Sequence, residues 1–127
     1  MSSGRKTVLV AEDTADLLQL FTLVVGLGGY NTVEATDGAQ AVEQATLCQP
    51  DLILMDIAMP VMDGYEATRR ILSNPVLSKV PIIAISAQTS RRWQELALEA
   101  GCVECVPKPV EPSDLHELIG RYIGCNA

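Results

Sequence analysis

Apolar residues in this chain follow two alternating patterns. Short, nearly unbroken runs occur at 7–13 (TVLVAED), 51–56 (DLILMD) and 81–86 (PIIAIS), as expected for strands of a parallel sheet buried on both faces. Weaker runs at 31–36 (NTVEAT) and 103–107 (VECVP) predict two further strands nearer the sheet edges. Between the runs the spacing becomes helical. Leu17, Leu20, Phe21 and Val24 follow i, i+3, i+4, i+7, one stripe of a helix ended by Gly28-Gly29. Ala41, Val42 and Ala45 mark a second helix closed before Pro50. Ala67 and Ile71 mark a third, stopped by Asn74-Pro75, because a residue before proline is pushed out of helical geometry. Ser90 is placed to cap a fourth helix over RRWQELALEA, ended at Gly101. Leu115, Leu118, Ile119 and Tyr122 give a fifth, with Ser113 as its cap.

Five strand–helix units with short connections follow, without repeats, linkers or low-complexity tracts. Strict alternation of this kind implies an α/β doubly wound fold, a mostly parallel sheet with helices on both faces. A length of 127 residues fits one domain, residues 1–127 with a core over about 6–123.

Composition narrows the class. Apolar residues make up 48% of the chain and the mean hydropathy is +0.21, which predicts a folded globular protein. The net charge of −7 leaves no basic surface for a phosphate backbone, so no nucleic-acid partner is expected. The opening MSSGRKTVLV has no long apolar signal core. No stretch reaches the roughly 18 apolar residues of a membrane span. The expectation is a cytoplasmic protein without a membrane partner.

The four cysteines include a C-x-x-C pair, Cys102 and Cys105, which in an α/β protein can carry redox chemistry. Redox thiols are usually activated at a helix start, whereas GCVECVPKP reads as a turn into a strand. Zinc would need four ligands, and the one histidine, His116, lies on a helical pattern further on. Quiet, packed thiols are therefore expected, with an oxidation-sensitive switch as the alternative. Disulfides are not expected in a reducing compartment.

Candidate chemistry collects at the carboxyl ends of the strands, where open parallel sheets bind ligands. The first strand ends in Glu12-Asp13, the third in Asp56, the fourth in Ser86 and the fifth in Lys108. Neighbouring first and third strands would bring three carboxylates together. Such acids cannot all stay ionised without compensation, which Lys108 and a bound cation can supply. A hard, oxygen-lined site with few protein ligands suits Mg²⁺, often alongside a phosphate. An aspartate can itself be the nucleophile of an acyl phosphate, with Mg²⁺, Lys108 and the Ser86 hydroxyl neutralising the transferred oxygens. Taken singly, each residue has a plainer reading. Asp13 before Thr14 reads equally as a helix cap, Lys108 as a solvated charge, and Ser86 alone says nothing. The signal is the agreement of four strand ends.

That combination resembles the receiver domain of two-component response regulators, over roughly residues 6–123. VAEDT is similar to the acidic pair after the first strand, and DLILMDIAMPVMDG to the phosphoacceptor strand and loop. IIAISA is similar to the fourth strand with its switch hydroxyl, and VPKPVEPSDL to the fifth strand with its lysine. The resemblance implies a flavodoxin-like (βα)5 fold with strand order 2-1-3-4-5 and a cis bond before Pro109. It implies that Asp56 accepts a phosphoryl group, and that Lys108 and Ser86 contact it. It also implies that Glu12, Asp13, Asp56 and the Ala58 backbone carbonyl hold Mg²⁺. The implied donor is a phosphohistidine on a histidine kinase or histidine phosphotransfer protein. The downstream target is a protein not identified by the sequence, with monomer and dimer both open. Many receivers carry Tyr or Phe three residues before the lysine, where this chain has Cys105, so the usual aromatic coupling is expected to be weakened or rerouted. Two alternatives stand beside a phosphoacceptor module that is not an enzyme. One is a phosphorylation-independent interaction module of the same fold; the other is a receiver cut from a hybrid histidine kinase. Asp56 lacks a second acid two residues on, and GLGG at 26–29 ends a helix, so no kinase or phosphatase of its own is expected.

Overall fold

Five strands alternate with five α-helices: β1 (Thr7–Ala11), α1 (Ala15–Leu27), β2 (Asn31–Ala35), α2 (Gly38–Cys48), β3 (Leu52–Asp56), α3 (Gly64–Leu72), β4 (Ile82–Ser86), α4 (Arg92–Ala100), β5 (Glu104–Pro107) and α5 (Pro112–Ile123). A single 3-10 turn at Pro75–Leu77 follows α3. These elements come from a computed structural model that describes residues 4–124. Residues 1–3 of the polar lead, Cys125 in the GCNA tail and both ends of the expected 1–127 domain lie outside the described residues. All strand pairs are parallel, in the order β2-β1-β3-β4-β5, as the resemblance implied.

The near-continuous apolar runs are explained by the two faces they cover. Every residue of β3 and β4 is buried. Along the central strands successive side chains alternate between two cores, because the strand period is two. Val8, Val10, Leu52, Leu54, Ile83 and Ile85 pack with α1 and α5. Leu9, Ala11, Ile53, Met55, Ile82 and Ala84 pack with α2, α3 and α4. At the edge, β2 keeps Thr32 and Glu34 in solvent, which is why its sequence signal is weaker.

Three local expectations need correction. In α1 the buried residues are Leu18, Phe21, Val24 and Val25, while Leu20 is exposed and Leu17 only half-buried. Leucines on several sides of this helix made more than one stripe possible, and packing selects the one centred on Phe21. Ser90 does not cap α4, whose N-cap is Arg91 without a side-chain bond. Ser113 does not cap α5 either, because Pro112 occupies the first helical position and moves the cap to Glu111. The stops at Gly28, Gln49 before Pro50, and Gly101 fall where expected. Among the described residues no helix is long and apolar enough to cross a membrane.

Candidate functional site

β1 and β3 are neighbours, yet the chain leaves β1 towards β2 on one side and returns to β3 on the other. Ligands of open α/β sheets bind at the carboxyl edge where the order reverses in this way. Glu12 follows β1 directly, with its backbone N–H donating to the Ala35 carbonyl at 3.0 Å. Asp56 is the last residue of β3, held in register opposite Ile85 of β4. The apolar strand is thus a rigid mount for one acid.

Glu12 is fully buried and Asp56 is 4% exposed, whereas Asp13 is open to solvent. Each of the three offers a carboxylate oxygen, and these oxygens lie within 4.8 Å of one another. Lys108 reaches in from just beyond β5. Its Nζ lies 3.0 Å from Glu12 Oε1 and 3.6 Å from Asp56 Oδ1. The other Glu12 oxygen accepts the Thr14 backbone N–H at 3.1 Å, and Asp56 Oδ1 accepts that of Ala58 at 3.3 Å. Burial, and then the Glu12 charge, push the Asp56 carboxyl up to about 7, with Lys108 pulling the other way.

One lysine is not enough for three acids. Glu12 Oε1 is buried with the Lys108 ammonium 3.0 Å away as its ion-pair partner and no further hydrogen bond. One positive charge beside clustered acids leaves negative charge uncompensated, and a divalent cation among them would offset it. The donors are all hard oxygens and few in number, which suits Mg²⁺ with retained waters. The residues fit the ion.

Ser86 is fully buried at the end of β4, one residue beyond the partner of Asp56. Its hydroxyl oxygen accepts the Gln88 backbone N–H at 3.1 Å. Its carbonyl accepts the Lys108 N–H at 2.9 Å, which fixes the lysine backbone to the same strand end. The Lys108–Pro109 bond is cis. Ala58 is exposed in the loop after β3. Glu12, Asp13, Asp56, Ser86 and Lys108 all therefore meet at one edge.

The loop itself is tightly packed. A Cβ on Gly64 would stand 2.6 Å from the Asp56 carbonyl oxygen, and one on Gly38 would stand 1.9 Å from that of Met62. Glycine is what lets α2 and α3 close on the loop after β3. Asp63 caps α3 by accepting the Glu66 N–H at 2.9 Å. Between them Val61 takes φ +68° and is exposed, a backbone region that a β-branched residue rarely enters. The sequence reading missed this feature and the Thr14 amide, since backbone donors and loop dihedrals leave no residue-type signature.

The C-x-x-C is not an activated pair. Cys102 is buried, its Sγ 3.7 Å from Thr68 Oγ1, and burial pushes its thiol up to about 11. Burial raises Cys105 as well, and both thiols are free. Among the described residues, Glu12, Asp13 and Asp56 form the one cluster suited to a metal.

Comparison with known proteins agrees with this geometry. The family model for the response regulator receiver domain matches residues 8–120. The chain belongs to that family. A polar-differentiation response regulator, DivK of Brucella anthropi, is 32% identical to this receiver over 119 residues, covering 94% of this chain and 97% of DivK. Among solved structures, the receiver domain of the sensor histidine kinase PA1611 from Pseudomonas aeruginosa is 34% identical with a TM-score of 0.88, covering 95% of this chain and 99% of that one. That structure has a magnesium ion coordinated in its active site cleft. A putative response regulator from Chloroflexus aurantiacus is 27% identical, also with a TM-score of 0.88, covering 94% of this chain and 98% of that one.

Proposed function

We propose that this receiver accepts a phosphoryl group on Asp56, with Mg²⁺ bound, and signals by changing a protein-interaction surface. The observation that carries the reading is the cluster of Glu12, Asp13 and Asp56 with Lys108 on its inner side, at the point where the strand order reverses. The magnesium in the PA1611 receiver cleft supports the choice of ion. Glu12, Asp13, Asp56 and the Ala58 carbonyl would hold it. When bound, Mg²⁺ neutralises phosphoryl oxygens and keeps Asp56 ionised.

The residues of the chain then divide the work. An Asp56 carboxylate oxygen attacks phosphorus in a phosphohistidine of a histidine kinase or histidine phosphotransfer protein. The P–O bond forms as the P–N bond breaks, and the imidazole leaves with a proton. Lys108, already between Glu12 and Asp56, pairs with the new anion. Ser86 donates its hydroxyl to it. The modified aspartate carries about −1.5 to −2 charges, so it favours whichever arrangement of the fourth and fifth strand ends satisfies them. In this reading the chain is a signalling module of the cytoplasm and not an enzyme acting on others.

A second reading is favoured by the 34% identity to a receiver borne by a sensor kinase. It keeps the same chemistry and places the domain within a hybrid kinase, which the ends of the full gene would decide. The test of the function is direct. Incubation with Mg²⁺ and a small phosphodonor should add one phosphoryl group by intact mass, and Asp56→Asn should abolish the gain. Equal labelling of that variant would remove Asp56 as the acceptor.

A further inference from the structure

The segment that joins β4 to α4 is tied to the site by one bond, from the Gln88 N–H to Ser86 Oγ at 3.1 Å. The helix it leads into has no side-chain cap of its own. Its first turn is held from outside. Tyr65 of α3 donates its hydroxyl to the Trp93 carbonyl at 3.3 Å, and the Cys105 thiol donates to the Gln94 carbonyl at 3.6 Å. The Tyr65 ring is half-buried. Burial raises its phenol, and the Gln88 side chain opposes that rise. Tyr65 thus holds the turn that the segment fixed by Ser86 enters directly.

We propose that Tyr65 is the positioning residue that couples the Ser86 hydroxyl to the first turn of α4. The proposal rests on the phosphoacceptor reading above. A serine hydroxyl has one proton and two acceptor positions. When that proton turns to a phosphoryl group on Asp56, Oγ moves off the Gln88 N–H and releases the segment. The freed segment shifts the turn it enters, and the bond from Tyr65 to Trp93 is remade or lost. Cys105 is the weaker holder, because a thiol is a poor donor. The inference gives the rerouting expected from Cys105 a definite path, through α3 to α4 instead of through β5.

The test uses the full chain with Mg²⁺ and phosphoramidate, reading intact mass and amide hydrogen exchange. In the unaltered protein, labelling should add one phosphoryl group and speed exchange at residues 91–95. Tyr65→Phe should gain the same mass, show fast exchange there before labelling, and lose the labelling-dependent difference. Cys105→Ala should keep it. A full difference in Tyr65→Phe, or its loss in Cys105→Ala, overturns the proposal. So does a general rise in exchange across β3 and β4 in Tyr65→Phe, which would mark a merely structural role. Mass gain without any change at 91–95 in the unaltered protein defeats the coupling alone. No mass gain there defeats the phosphoacceptor reading and the coupling with it.

Discussion

Asp56 is placed where ionising is hard. Burial and the Glu12 charge raise its pKa to about 7, so in metal-free protein the folded state holds this proton more tightly than the unfolded chain, whose aspartates titrate near 4. The sign follows from linkage. Stability contributed by this group is present below the unfolded value and is lost as pH rises through the folded one. Metal-free protein should therefore lose stability between about pH 4 and pH 7, and Asp56→Asn should flatten that slope and melt higher at pH 8. A slope unchanged in the variant, by thermal unfolding without metal, would contradict the electrostatic account. Cysteine chemistry gives a second check at this scale. Cys102 is buried with its thiol pushed up to about 11, while Cys48 is exposed. Alkylation at pH 8 should mark Cys48 quickly and Cys102 only as the fold opens; comparable rates would mean that Cys102 is accessible.

At the scale of elements, the site depends on a loop that holds difficult geometry just before α3, which Asp63 caps. Val61 sits at φ +68° with its side chain in solvent, so it contributes backbone cost without packing in return. Left-handed geometry costs a non-glycine residue about 1–3 kcal/mol. Glycine gives back roughly 0.5–1 kcal/mol through its freer unfolded chain. Val61→Gly should then raise stability by about 1 kcal/mol, measured by urea unfolding; a clear loss would mean that the valine makes a contact not seen in the free chain. The contrast explains what the sequence made legible. Strands β1, β3 and β4 are apolar on both faces, so residue type alone reveals them, and each carries its acid or hydroxyl at a fixed place one step past the run. Helix α1 has leucine on several sides, so its buried stripe needed the sheet to choose it. Ser90 and Ser113 are good capping residues in the wrong places, displaced by Arg91 and by Pro112. The Thr14 amide on Glu12, the Val61 dihedral and the reach of Tyr65 to α4 are backbone or long-range features, which no local pattern encodes.

For the whole molecule, two cores clamp one sheet from opposite faces, and the buried acids Glu12 and Asp56 share one edge with Lys108. Lys108 joins both buried acids to β5. It is not a metal ligand in this account. Lys108→Ala should therefore leave Mg²⁺ binding in place and permit labelling, yet lose the exchange change at 91–95. It should also destabilise metal-free protein by about 3 kcal/mol, the low end for a broken buried pair, because the lysine side chain is 16% exposed. An unaltered structural response would remove Lys108 from the switch.

The central claim is that the acidic edge makes Asp56 a metal-dependent phosphoacceptor. Intact mass spectrometry of the full chain with phosphoramidate, with and without Mg²⁺, and with Asp56→Asn beside it, tests this most directly. The account predicts a gain of one phosphoryl group in the presence of Mg²⁺, lost when the metal is chelated and absent in the variant. A gain that survives chelation or the substitution would contradict it. So would no gain from either phosphoramidate or a phosphorylated histidine phosphotransfer protein, which would make the chain an interaction module that works without phosphorylation.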